Sequence, residues 1–138
     1  MSSLLVWFLI GIVLLLSLGF VKMFALNTYD LKLWPAIHRA RREIRKIARQ
    51  RVPNADVFSR QGATAISPGH LSFGIRVETD KQRTALCEDR EIHKQFRDAL
   101  VKAGYPPTTV PVVHFGIQSQ ETVDREYGGS WDEAGQMP

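Results

Sequence analysis

The 23 residues from Leu4 to Leu26 carry one charge, Lys22, and are otherwise almost wholly apolar. A bilayer's hydrocarbon core takes about 20 such residues in a helix, and a helix satisfies its own backbone hydrogen bonds where no water is present. Residues 1–26 are therefore expected to be a transmembrane anchor. A cleavable signal peptide would show a basic n-region, a shorter apolar core and a small-residue cleavage site. Here only Met1-Ser2-Ser3 precede the run, which is too long and is followed by no A-x-A-like site. The segment reads as a retained signal-anchor.

Charge gives the anchor a direction. Up to Pro53 the chain has nine Lys/Arg against two Asp/Glu; from Asn54 onward it has nine against twelve. The basic pI belongs to the segment beside the membrane, and the rest is mildly acidic. Lys and Arg beside a span favour the cytoplasmic side. The expected topology is single-pass, with the N-terminus outside and the C-terminal domain cytoplasmic. Lys22 suits snorkelling to the interface, and Trp7, Tyr29 and Trp34 suit interfacial anchoring. Gly11 and Gly19 share a face but do not make a G-x-x-x-G pair.

Residues 27–53 are expected to form a basic juxtamembrane helix. Asn27-Thr28-Tyr29-Asp30 reads as an interfacial turn, Pro35 as a first-turn residue of a new helix and Pro53 as its end. Leu33, Ile37, Ala40, Ile44 and Ile47 recur at spacings of four and three, a narrow apolar stripe. Four readings follow, in order. The helix lies on anionic lipid headgroups, through Lys22, Lys32, Trp34, Arg39, Arg41, Arg42, Arg45, Lys46 and Arg49; the stripe meets a protein partner or a second copy; it packs on the protein's own domain; or the arginines bind nucleic acid, which the topological role of the charge makes unnecessary.

The fold class expected beyond the arm is α+β, a small β-β-α-β-(α) two-layer domain. Residues 54–69 read as a linker with a possible first strand at Ala63–Ser67, and Pro68-Gly69 as a hairpin turn. His70–Glu78 alternates with Leu71, Phe73, Ile75 and Val77 on one face, a half-buried strand. Thr79 with Gln82 forms a capping-box pattern, opening one helix to about Ala103 that stops at Gly104. Its inward stripe is Leu86, Ile92, Phe96, Ala99, Leu100 and Ala103. Val110–Ile117 reads as a second strand with Pro111 at its start, which suggests an edge. Glu121–Tyr127 is a short helix ended by Gly128-Gly129, and Trp131 is expected to fold back over an apolar surface. The domain spans 70–131, and 132–138 reads as a flexible tail.

No motif for chemistry stands out. The four histidines, His38, His70, His93 and His114, lack metal-ligand spacing. There is no P-loop, no G-x-G-x-x-G and no G-x-S-x-G, so no cofactor is expected. The single Cys87 precludes an intrachain disulfide and reads as a semi-buried side chain on a helix. The most distinctive cluster is polar and follows a strand, where small α+β folds often place sites. It comprises His114, Ser119, Glu121, Asp124, Arg125, Tyr127, Gly128, Gly129 and Trp131. The bland reading is that these residues cap and end a helix. The leading functional expectation is a membrane-anchored interaction domain, an accessory or regulatory subunit of a membrane-associated assembly. The alternative is a membrane-tethered enzyme or ligand-sensing domain using His114 with Glu121 and Asp124, which requires those side chains to converge.

Overall fold

The apolar run and the basic segment after it form one uninterrupted helix, α1 (Ser3–Arg51). The computed structural model describes residues 2–61 and 67–135, and within α1 the side chains of 21–32 lie outside that description. The turn expected at Asn27–Asp30 is absent, as is a separate helix starting at Pro35. None of those four residues is Gly or Pro, and each disfavours a helix by only about 0.7 kcal/mol or less. Pro35 sits inside α1, where its ring removes one backbone hydrogen bond. Buried Leu33, Ala36 and Ile37 hold the turn around it. The window Ser3–Phe20 has a mean hydropathy of 2.6, has no buried residue and is long and apolar enough to cross a membrane.

The last third of α1 meets a different environment. Leu33, Ala36, Ile37, Ala40, Ile44 and Ala48 are buried in the main core, and Ile47 packs against it. The stripe therefore lies on the protein's own domain, and its buried members are not open to lipid or to a partner helix. Small Ala40 and Ala48, both fully buried, let the helix approach its neighbours closely. Val52 ends α1 in extended backbone, its N–H donating to the Ala48 carbonyl.

The chain then turns into β1 (Asp56–Arg60), a strand where the sequence suggested a linker. Of the strand suggested at Ala63–Ser67, all but Ser67 lies outside the described residues. Pro68–His70 is a 3₁₀ turn, and β2 (Ser72–Val77) pairs antiparallel with β1. In β2 the alternation holds, with Leu71, Phe73, Ile75 and Val77 buried. The capping box at Thr79 and Gln82 is formed and opens α2 (Asp80–Glu88).

The single long helix expected here is two. Asp89 interrupts it, accepting from the Ile92 N–H as the N-cap of α3 (Arg90–Lys102). An Asp that can bond the backbone ahead of it favours a cap over a helix interior, and an ion pair to Arg51 fixes it. Cys87 is exposed rather than semi-buried. The inward stripe from Leu86 to Ala103 is buried throughout.

Val110–Val112 is a 3₁₀ turn rather than the start of a strand. β3 (His114–Ser119) follows and runs parallel to β2, as the α2–α3 crossover allows. Strand order is β1-β2-β3, so β3 is an edge. α4 (Gln120–Tyr127) and α5 (Trp131–Ala134) complete the described chain. The expected flexible tail is thus helical to Ala134, and residues 136–138 lie outside the described residues. The α+β expectation holds in broad form: mixed helix and a three-stranded sheet, preceded by a helix that could span a membrane.

Arginines on α1 tie this assembly together. Arg45 donates to the Val57 carbonyl at 3.1 Å and lies 3.2 Å from Asp56. Arg49 donates to the Ala55 carbonyl and Arg39 to the Ala103 carbonyl, at 2.9 and 2.8 Å. The domain beyond residue 53 thus takes part of its core from α1. A chain cut to begin at Asn54 is expected to lose cooperative unfolding, read by near-ultraviolet circular dichroism. In the full chain, Ile44→Ala should lower stability by about 2–4 kcal/mol in urea titrations.

Candidate functional site

Pairing across the three strands sorts the sheet's side chains into two faces. Val57, Ile75 and Ile117 share a row on the covered face, as do Phe73 and Phe115, whose rings stack at 5.4 Å. The opposite face carries three rows: Asp56, Arg76 and Gln118; Phe58, Gly74 and Gly116; Arg60, Ser72 and His114. Among the described residues no long helix covers this face, and only the short α5 reaches over it.

The middle row explains the geometry. Phe58 lies across Gly74, and any Cβ at Gly74 would run into the ring. Gly74 lies under that ring, and Gly116 next to it leaves a shallow floor flanked by His114. The guanidinium of Arg76 sits 4.5 Å from the Phe58 ring centroid and 4.5 Å from that of Trp131. It is held between two aromatic faces, a cation–π arrangement worth about 0.5–2 kcal/mol per contact. Its Nε is buried without a hydrogen-bond partner. Among the described residues Arg76 forms no ion pair. Arg60 lies on the same ring at 5.8 Å and donates to the Gly135 carbonyl, which draws the end of α5 to the sheet. Phe58, Arg60, Gly74, His114, Gly116 and Trp131 thereby line a cleft of about 420 Å³, within the range of ligand sites.

Trp131 is aimed by the segment before it. Gly128 and Gly129 both have positive φ, 56° and 84°, a backbone region that favours glycine. They end α4 and reverse the chain. The Trp131 Nε1–H then donates to Gln120 Oε1 at 2.9 Å, and Gln120 Nε2 donates to Asp124 Oδ1 at 2.8 Å. Trp131 is half-buried, folds back over the open face of the sheet and stacks on the Arg76 guanidinium.

The carboxyl ends of β2 and β3 lie side by side, and each leads into a helix N-terminus, α2 and α4. Two helix N-termini there attract negative charge, and in open α/β sheets ligands commonly bind at such places. Here the chain supplies its own anions. Asp80 accepts from the Ser119 and Thr122 hydroxyls and pairs with Arg125 at 3.0 Å. Glu121 Oε2 accepts from the Asp80 N–H at 2.8 Å, while the Glu121 N–H donates to the Glu78 carbonyl. The Ser119 and Thr122 hydroxyls, with the Arg125 guanidinium, hold the Asp80 carboxyl at about 2, down from 3.8. The Ile92 N–H and Arg51 lower that of Asp89 as well.

The nine residues singled out in the sequence therefore do not form one site. Ser119, Glu121 and Arg125 belong to the clasp around Asp80. Gly128 and Gly129 steer Trp131, and Tyr127, half-buried at the end of α4, lines neither groove of the sheet. Glu121, Asp124 and Trp131 border a second, open groove with Arg76 and Glu78. His114 begins β3 and Ser119 ends it, about 16 Å apart at strand rise. The structure does not bring His114 together with Glu121 and Asp124, as the enzymatic alternative requires. Among the described residues no three His, Cys, Asp or Glu side chains gather to hold a metal ion.

Of the basic residues expected on lipid, the side chains of Lys22 and Lys32 lie outside the described residues. Arg39, Arg45 and Arg49 bond the domain's backbone, Lys46 pairs with Glu43, and Arg41 donates to His38 Nδ1 at 3.0 Å. Arg42 is exposed, and Trp34 is exposed with its ring edge-on to His38. Sequence reasoning missed Phe58, Arg60, Gly74, Arg76 and Gly116. The period-two spacing of Gly74 with Arg76, and of His114 with Gly116 and Gln118, was the available signal.

Comparison with family models, curated proteins and solved structures finds no match to this chain.

The Asp80 clasp has a pH signature. A carboxyl held below its ordinary value stabilises the fold above about pH 4 and loses that contribution as pH falls toward 2. Acid unfolding of the wild type should steepen in that window, and Asp80→Asn should flatten it, as followed by circular dichroism.

Proposed function

We propose that this chain is a single-pass membrane adaptor. Its C-terminal domain sits on the cytoplasmic side and recruits a partner protein through the open sheet face. The excess of Lys and Arg on α1 after the apolar run supports that orientation. The observation that carries the recruiting role is Arg76. A guanidinium fixed between two rings, with no ion pair among the described residues, is preorganised for a carboxylate from outside the chain. The shallow floor at Gly116, on the neighbouring strand, leaves room for a partner's side chain to approach the same face.

An aromatic–arginine stack of this kind is the composition of an interface anchor. Wild-type full-length protein and Arg76→Ala, both solubilised in mild detergent, are compared in affinity capture. Arg76→Ala should reduce partner retention by at least tenfold, and Arg76→Lys should behave similarly, because a lysine supplies charge without a stacked fork. Thermal unfolding of each variant checks that the domain remains intact. Equal capture by wild type, Arg76→Ala and Trp131→Ala would exclude the open face as the recruiting surface.

A further inference from the structure

The register of the sheet fixes which backbone groups of β3 face outward. The Val57 N–H donates to Asp56 Oδ1 and its carbonyl accepts from Arg45, so Val57 turns its backbone away from β2. Asp56, Phe58 and Arg60 therefore bond β2 at Arg76, Gly74 and Ser72, while Phe73, Ile75 and Val77 turn their backbone groups to β3. In a parallel pair such residues bond the neighbours of their partners, here His114, Gly116 and Gln118. Phe115, Ile117 and Ser119 are left pointing outward. The Ser119 N–H agrees, since it donates to the Gln118 side chain at 3.1 Å. The N–H and C=O groups of Phe115 and Ile117 have no partner among the described residues.

These four groups form an open sheet edge. Edge strands are commonly protected by Lys, Pro or inward-pointing charges, and His114–Ser119 holds no Lys, Arg, Pro or acidic residue. Phe115 and Ile117 are half-buried with their side chains toward the covered face, and Gly116 lies between them on the open one. Arg97 of α3 lies 5.4 Å from the Phe115 ring centroid. Its one hydrogen bond is long, 3.5 Å to the His93 carbonyl, and it forms no ion pair among the described residues. Exposed Arg90 and Lys94 stand on the same side of α3 at helical spacing from Arg97. Glu91 and Asp98 each come one residue later, about 100° round the helix. The flank of α3 that reaches Phe115 is therefore basic.

We infer that the free edge of β3 takes up an extended segment of another protein as a fourth strand, antiparallel to β3 and acidic where it passes Arg97. Main-chain bonds to Phe115 and Ile117 supply affinity, and alternate side chains supply choice. The residue opposite Phe115 meets Arg97 and is acidic. The residue opposite Ile117 packs on its side chain and is apolar. The one between them lies opposite Gly116, over a position without a side chain, and is large. Read in the partner's own direction, the order is apolar, large, acidic. A second copy of the chain does not fit. Two-fold pairing of β3 with itself is antiparallel. β1 runs back along α1, and β2 and β3 reverse that direction, so β3 runs broadly with α1. A reversed copy would send its apolar run the opposite way, and the two runs could not share one bilayer. This edge involves neither Arg76 nor Trp131.

The test titrates the full chain in mild detergent into the peptide fluorescein-Thr-Thr-Val-Tyr-Glu-Thr-Thr-amide and follows anisotropy. Methylating the backbone nitrogen of the peptide's Val or Glu, both facing β3, should weaken binding about tenfold. Methylating that of its Tyr, which faces away, should not. Gln in place of the peptide's Glu should cost about threefold with the wild type and almost nothing with Arg97→Ala, which locates the peptide on β3. Amide hydrogen exchange of the isotope-labelled full chain gives an independent reading. The Phe115 and Ile117 amides should exchange about tenfold or more faster than those of Gly116 and Gln118, and should slow when the peptide is added. No saturable binding below about 1 mM, or one affinity for all three methylated peptides, would overturn strand addition. An undiminished Glu-to-Gln effect in Arg97→Ala would overturn the acidic partner. Phe115 and Ile117 amides that become protected as the chain alone is concentrated would assign the edge to a second copy and overturn the proposal.

Discussion

Everything beyond residue 52 depends on burial of one stripe on α1. Ile37, Ala40, Ile44 and Ala48 sit in the core with Phe73, Ile75, Phe96 and Leu100. A chain of some 85 residues after Pro53 is near the size at which its own burial is marginal. The helix that leaves the apolar run supplies the missing wall. Two of its arginines then bond the carbonyls of Ala55, just before β1, and of Val57 within it, which occupies part of that strand's outer edge. One element thus faces two environments, apolar all round in its first part and a buried stripe in its last.

The second constraint lies at the carboxyl ends of β2 and β3. Two helix N-termini meet there, and the attraction for negative charge is met internally by Asp80 and Glu121. Arg125 offsets the charge that this brings in. That position is met by the chain's own groups, whereas the sheet face away from α1 stays open. There Arg76 stacks between Phe58, which lies across Gly74, and Trp131. The clasp and the stack are linked through α4, because Gln120 at its first turn accepts the hydrogen bond from Trp131.

Local chemistry was legible in the sequence where it is self-contained. The capping box at Thr79 and Gln82, the alternation of β2 and the glycine stop after α4 all appear where expected. What failed depends on tertiary partners. Asp56–Arg60 has no clear alternation of its own, and it is a strand because α1 and β2 flank it. Asp89 reads as one more charge on an amphipathic helix until Arg51 and the Ile92 N–H show it to be a cap. Asn27–Asp30 resembles a turn by composition, yet nothing in it breaks a helix. The candidate site was least legible of all. Arg76 and Phe58 are fifteen or more residues apart in sequence, and only the register that sets Phe58 against Gly74 brings them together. The polar cluster that stood out, around Ser119 and Glu121, stood out because capping residues are polar.

The direction of the open face follows from how α1 packs. β1 runs back alongside the helix, and the helix lies against one face of the sheet, so the other face points away from the helix axis rather than along it. On the proposed reading, with α1 crossing the bilayer, that face looks sideways over the membrane surface, and a tilt of about 20° changes this little. A partner that meets Arg76 then approaches within the layer of protein beside the membrane. For a partner tethered in the same bilayer, the encounter takes place at a raised effective concentration. A modest interface, one cation between two rings beside a shallow floor, suffices under those conditions where it would be weak between two proteins free in solution. The uninterrupted helix is what makes such an arrangement useful, since a flexible joint at Asn27–Asp30 would let the face turn away.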